Sequence, residues 1–286
     1  MKAKKASKMN EEQAMQGQIA DQMLNEEIDL DKALDDLLEK NNVQVDENSD
    51  EPVVFDYTDR EVKEMIVGGR VRMLIKHPFF GTLATRLKLV EAEWCPTAAV
   101  DGKHFYYNCN FFRTLTPEEI DFVVGHEVMH CVYDHCGEGG RLMDYKEEER
   151  DPKLWNIAAD YKVNQACVES KIGQMPKSAV HDPKFYGKYT EEIYQYIKEN
   201  KDQYESKQTL DLHLFGDGND EQGGTGKNDP TGRTAPIKIS KEEAKQIKDQ
   251  MKQAVIQAAQ TAGAGNMPGD VATVSYTHLT LPTNAC

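Results

Sequence analysis

Thr116-Pro117-Glu118-Glu119-Ile120-Asp121-Phe122-Val123-Val124-Gly125-His126-Glu127-Val128-Met129-His130 is the stretch from which the rest of the chain is read. Thr116 is a strong N-cap residue, and Pro117 fits the first helical position. Glu119, three residues after the cap, closes a capping box. Ile120, Val123, Val124, Val128 and Val132 recur at helical spacing and supply an apolar face. The spacing predicts a helix from Pro117 to about His135.

His126 and His130 are four residues apart in this helix, about 40° in azimuth and about 6 Å in rise. Both imidazoles can therefore point to one side and chelate one ion. Glu127 lies one residue after His126, where its carboxylate reaches a water at the ion without ligating. The His-Glu-x-x-His pattern is the arrangement of zinc hydrolysis: the ion acidifies water and polarises a carbonyl, and the glutamate moves the proton. Such a site needs a third protein ligand. His135 is the nearer candidate, but on a continuous helix it lies about 140° from His130 and about 180° from His126, pointing away. It becomes a ligand only if the helix ends early, and Cys131-Val132-Tyr133-Asp134 contains no glycine to make that turn. Asp160 is the preferred candidate. It lies on a second predicted helix that starts at Asp151-Pro152 and runs to Gly173, beside Ala158 and Ala159, which permit close approach. Asn164, one turn further, is placed to hydrogen-bond a ligand.

Working outward, residues 60–76 show helical spacing through Val62, Met65, Ile66, Val71 and Leu74, and His77-Pro78 closes that segment. Leu87 to Trp94 and Thr97 to Tyr107, the latter broken by Asp101-Gly102, predict a small sheet with a hairpin ahead of the His-Glu-x-x-His helix. The fold class is α+β. Residues 57–200 are expected to form the main domain, with a flexible linker over 201–239 whose Gly- and Asp-rich core, 216–234, lacks large apolar side chains. A further helix is expected from Ser240 to near Gly263.

The chain has 286 residues, with 49 acidic and 34 basic side chains, and a formal net charge of -15. Residues 11–60 alone hold 16 acids and three bases, so most of the excess lies in an arm over 1–56. In that arm Ile19, Met23, Leu30, Leu34 and Leu37 form a narrow helical stripe, read as a helix against the domain or as a partner-docking, partly disordered arm. The charge disfavours nucleic acid as a partner. No run of apolar residues reaches the length of a membrane span, and no signal peptide follows the first Met, so a cytoplasmic location is expected. The six cysteines show no Cys-x-x-Cys pair and read as reduced, mostly buried thiols.

Gly125-His-Glu-Val-Met-His130, Arg150-Asp-Pro-Lys-Leu-Trp-Asn-Ile-Ala-Ala-Asp160-Tyr-Lys-Val-Asn164, Asp182-Pro-Lys-Phe-Tyr186 and Thr190-Glu-Glu-Ile-Tyr194 together resemble a bacterial and phage metallopeptidase domain. That domain usually precedes a von Willebrand factor A-like domain. The resemblance implies a zincin-like fold: a small sheet packed on the His-Glu-x-x-His helix, followed by a ligand-bearing helix. It implies Zn2+ held by His126 and His130 with Glu127 as general base, and Asp160 by analogy with zincins whose third ligand comes from a later helix. His181, Tyr186 and Tyr189, in the loop after that helix, become candidate oxyanion donors. A peptide or protein substrate follows, as does an AAA ATPase partner if the module acts instead as a non-catalytic, metal-stabilised adaptor. The ending Val274-Ser-Tyr-Thr-His-Leu-Thr-Leu-Pro-Thr-Asn-Ala-Cys286 resembles a translated sequencing adaptor. It is expected to be foreign to the natural protein, with the segment 240–270 leading to a C-terminal domain not included in the chain.

Overall fold

Helix α4 (Pro117–Val132), the fourth in chain order among the described residues, is the element on which several of the others converge. The structure, a computed structural model, describes residues 54–135, 150–204 and 240–263, together with 206, 207, 209, 268, 269 and 271. The acidic arm with its apolar stripe, the 136–149 loop, the linker core 216–234 and the tail 274–286 lie outside the described residues.

Helix α1 (Asp59–Lys76) starts at Thr58, whose side chain accepts from the Glu61 N–H while Glu61 returns the bond. It stops at His77, the residue that Pro78 forces out of helical geometry. Pro78 then opens a helix of its own, α2 (Pro78–Ala84), which the sequence reading did not anticipate. The sheet follows, made of β1 (Lys88–Glu91), β2 (Ala98–Val100) and β3 (His104–Tyr107) in the order β1-β3-β2. β2 and β3 form the expected antiparallel hairpin, turning at Gly102 with φ +86°. Asp101 braces that turn, its carboxylate accepting from the Lys103 and His104 N–H groups, the Tyr106 hydroxyl and the His104 ring. β1 joins β3 in parallel, Lys88 opposite His104 and Glu91 opposite Tyr107.

A short turn of helix, α3 (Cys109–Phe112), leads to α4 (Pro117–Val132). α4 packs on α1, α2 and β2, and also on α5 (Pro152–Glu169) and α8 (Lys241–Ala262). This surrounded position explains why every residue from Phe122 to Cys131 is buried. Between α5 and α8 come a 3-10 turn (Pro183–Phe185), α6 (Thr190–Glu199) and α7 (Lys201–Tyr204).

α5, α6 and α7 share a core of Trp155, Ile157, Tyr161, Phe185, Ile193 and Tyr204. Tyr204 is buried there, so α7 packs with α5 and α6. α8 likewise joins the domain, seating its small residues Ala254, Ala258 and Ala259 in the interior. Lys103 to Glu243 (2.7 Å) and Lys248 to Asp134 (2.6 Å) pin it. Among the described residues no helix is long and apolar enough to cross a membrane. The architecture is α+β and helix-rich.

Candidate metal centre

α4 begins as its sequence requires. The Thr116 hydroxyl accepts from the Glu119 N–H, and the Glu119 carboxylate accepts from the Thr116 N–H at 2.9 Å. Its end is less regular than the apolar periodicity suggests. The helix stops at Val132, three residues before the predicted limit. Asp134 adopts φ +59°, the His135 N–H bonds the His130 carbonyl (2.9 Å), and the Asp134 N–H turns toward the Cys131 carbonyl (3.3 Å). This is a Schellman termination with aspartate in the place usually taken by glycine. Aspartate tolerates the left-handed region better than most residues, and Lys248 holds its carboxylate. α5 ends in the same way, with Lys171 at φ +55° and the Ile172 N–H on the Cys167 carbonyl, so it stops at Glu169 short of Gly173.

Gly173 and Gly125 set the approach of these two helices. A Cβ on Gly173 would stand 2.2 Å from the Glu118 carbonyl oxygen, and one on Gly125 2.7 Å from Ile172. Ala158 and Ala159 are fully buried on α5. Asp160, next along, stands against the two histidines of α4. Its Oδ1 lies 3.6 Å from His130 Nε2 and 3.9 Å from His126 Nε2, and the two Nε2 atoms are 3.0 Å apart. His126, Glu127, His130 and Asp160 all have zero solvent exposure. The donor atoms of His126, His130 and Asp160 lie within 4.8 Å of one another, a group that could hold a metal ion.

The ring orientation of His126 follows from Asn164. Asn164 Nδ2 donates to the Val180 carbonyl (2.8 Å), so its Oδ1 is the atom that faces His126 Nδ1, also at 2.8 Å. An amide oxygen can only accept, so His126 carries its proton on Nδ1 and turns the Nε2 lone pair toward His130 and Asp160. A metal-bound histidine is held by a partner on its other nitrogen in this same way.

His135 does not point away from the site, because the early end of α4 swings it inward. It is fully buried, with Nδ1 3.2 Å from His130 Nδ1 and Nε2 2.9 Å from the Thr190 hydroxyl. It therefore stands behind His130, on the ring nitrogen opposite the one that faces His126. Trp155 packs edge-on against it, and Arg150 stacks over Trp155 at 4.2 Å. The sequence reading gave Thr190 no part in the site. Its sequence signals are its place ahead of Glu191-Glu192 at a helix start and its membership of the Thr190-Glu-Glu-Ile-Tyr194 motif.

His181 and Tyr186 are paired with each other, Tyr186 Oη to His181 Nε2 at 3.0 Å, on the segment that Asn164 tethers at Val180. Tyr189 is 63% exposed, and its neighbour Thr190 contacts the buried His135. A second cluster of possible metal donors, Asp59, Glu91 and Cys109, lies apart on a more exposed face. There Asp59 pairs with Arg113, and burial together with Glu91 and Asp59 pushes the Cys109 thiol up to about 12.

The fold and the site define a helix-rich α+β domain in which consecutive helices bring two histidines and a carboxylate to one buried point, suited to a metal ion. A protein-family model described as a putative metallopeptidase domain matches residues 67–280, and the chain belongs to that family. The match covers both helices of the site and α8. No curated protein and no solved structure matches the chain.

Proposed function

We propose that the chain is a zinc-dependent metalloendopeptidase in which His126, His130 and Asp160 hold the ion and Glu127 is the general base. The observation that carries this reading is the convergence of three buried donors from two helices around the His-Glu-x-x-His turn. The donor set fits the ion. In a tetrahedral site with bonds of about 2.0–2.1 Å, donors stand about 3.3 Å apart. The separations of 3.0, 3.6 and 3.9 Å bracket that value. Two imidazoles and a carboxylate also suit ferrous iron, and the neighbouring Glu127 favours hydrolysis and zinc.

When bound, zinc supplies Lewis-acid polarisation of the scissile carbonyl and acidifies water. Glu127 takes a proton from the attacking water, whose oxygen forms the new bond to the carbonyl carbon. The carbon–nitrogen bond then breaks, and Glu127 delivers that proton to the departing amine nitrogen. Asn164 keeps the His126 Nε2 lone pair turned inward throughout. For the developing oxyanion the candidates are His181 and Tyr186, which share a hydrogen bond on the segment tethered through Val180, and Tyr189; both tyrosines are exposed.

The substrate is a peptide or protein. An AAA ATPase partner and a following von Willebrand factor A-like domain rest on the family resemblance. A cytoplasmic placement is part of this reading, in keeping with the buried thiols Cys109, Cys131 and Cys167. A second reading has its own support: zero exposure of all four site residues suits a closed, structural metal site in a non-catalytic adaptor.

Metal analysis and peptide hydrolysis separate the two. The peptidase reading expects about one zinc per chain, lost in Asp160→Ala. In Glu127→Gln zinc is kept while hydrolysis falls by a factor on the order of 100 or more. Undiminished hydrolysis by Glu127→Gln ends the general-base assignment. Zinc without turnover of a broad peptide library favours the adaptor.

A further inference from the structure

We infer that His135 and Thr190 form a positioning pair that sets the tautomer and orientation of His130, coupling the metal centre to the N-terminus of α6. The inference rests on the assignment of His130 as a metal ligand. An ion at the Nε2 atoms requires a lone pair on His130 Nε2, so the neutral ring must carry its proton on Nδ1. That N–H needs a buried acceptor, and the atom it meets is His135 Nδ1, at 3.2 Å. If His135 accepts there, its own proton is on Nε2, which meets the Thr190 hydroxyl at 2.9 Å. A hydroxyl accepts as readily as it donates, so both imidazole N–H groups of the chain His130 to His135 to Thr190 meet an acceptor. Asn164 does for His126 what His135 does for His130, except that an amide oxygen can only accept, whereas the His135 ring can do either and is held in place by the Thr190 hydroxyl.

The pair is built to hold its place. The Schellman turn at Asp134 fixes the His135 backbone, Trp155 covers the His135 ring, and Thr190, fully buried, is the first residue of α6. Arg150 ties the same end of α6 to α5. It stacks over Trp155 and reaches Glu191 at 3.9 Å and the Tyr194 ring at 5.9 Å. A shift of α6 is therefore felt at His130 through one side chain.

The test uses the full chain, with zinc affinity read by chelator competition and the Co2+ absorption spectrum as a reporter of the ligand set. Thr190→Val keeps the shape and removes the hydroxyl, whereas Thr190→Ser keeps the hydroxyl. We expect Thr190→Val to weaken zinc binding at least threefold and Thr190→Ser to return it to within twofold of the wild type. His135→Phe should weaken binding by about 10–100-fold while the Co2+ spectrum keeps its wild-type band positions. Equal affinities for the Val and Ser variants overturn the inference. So does a folded His135→Phe chain that binds zinc like the wild type, or one whose spectrum changes as it does on loss of a ligand. His126→Ala and Asp160→Ala test the underlying ligand assignment independently. If they bind zinc as the wild type does, that assignment fails, whatever the Thr190 pair shows.

Discussion

Replacing Asn164 separates its two hydrogen bonds and tests the orientation of His126 directly. In Asn164→Leu both bonds of 2.8 Å vanish at a fully buried position, leaving the His126 Nδ1–H and the Val180 carbonyl without the partner each has now. Each buried group left unmatched costs about 1–3 kcal/mol of stability, partly offset by roughly 1–2 kcal/mol from the added apolar surface. At the metal the loss of the partner that orients the ring should weaken zinc binding about 10–100-fold, which is about 1.4–2.8 kcal/mol. Asn164→Asp divides the effects. It keeps an oxygen acceptor on His126 Nδ1 but sets an anionic oxygen against the Val180 carbonyl, so stability falls while zinc affinity stays within a few-fold of the wild type. Urea unfolding of the zinc-free chain and chelator competition measure the two quantities separately. Equal zinc affinities for the Leu and Asp variants would refute the argument, because the acceptor on Nδ1 is the feature that distinguishes them.

Three further outcomes follow from other parts of the molecule. Gly173→Ala should lower stability by about 2–4 kcal/mol in urea unfolding. It combines a left-handed backbone with a Cβ 2.2 Å from the Glu118 carbonyl, and strains the Gln174 N–H bond to that same oxygen. The Cys109 thiol, pushed up to about 12 by burial and by Glu91 and Asp59, should resist iodoacetamide at pH 8 in the folded chain and react after unfolding. Its folded pKa lies above the unfolded one, so its contribution to stability is complete below about pH 9 and is lost as pH rises toward 12. Zinc at 100 times its dissociation constant should stabilise the wild type by about 2.7 kcal/mol and raise its melting temperature; Asp160→Ala should show no such rise.

Much of this fold is legible locally because its signals are local. Thr116-Pro117 with Glu119 and Asp151-Pro152 start helices by satisfying backbone N–H groups within three residues, and the structure begins α4 and α5 at those prolines. Asp101-Gly102 turns a hairpin for the same reason. Pro78 was read as an end, and rightly so for α1, but a proline also fits the first turn of a helix, and α2 begins there. The end of α4 was harder to see. Periodicity carried it to His135, and the absence of glycine argued against a turn, whereas Asp134 makes the turn with Lys248 from α8 on its carboxylate. That contact joins residues 114 positions apart, and nothing near Asp134 in the chain announces it.

What the amino-acid sequence determined by itself is the presence of a His-Glu-x-x-His helix, its start, and the one-turn spacing that aligns His126 with His130. All of these depend on helical geometry and on groups within a few residues of each other. Tertiary structure decided which later residues meet that turn. It brings Asp160 to the two Nε2 atoms, Asn164 to the far nitrogen of His126, and His135 with Thr190 to the far nitrogen of His130. Those meetings depend on how closely two helices approach at Gly125, Gly173 and the alanines of α5, and on where α4 stops. Packing sets both, because a Cβ or a carbonyl from a distant segment either fits there or does not.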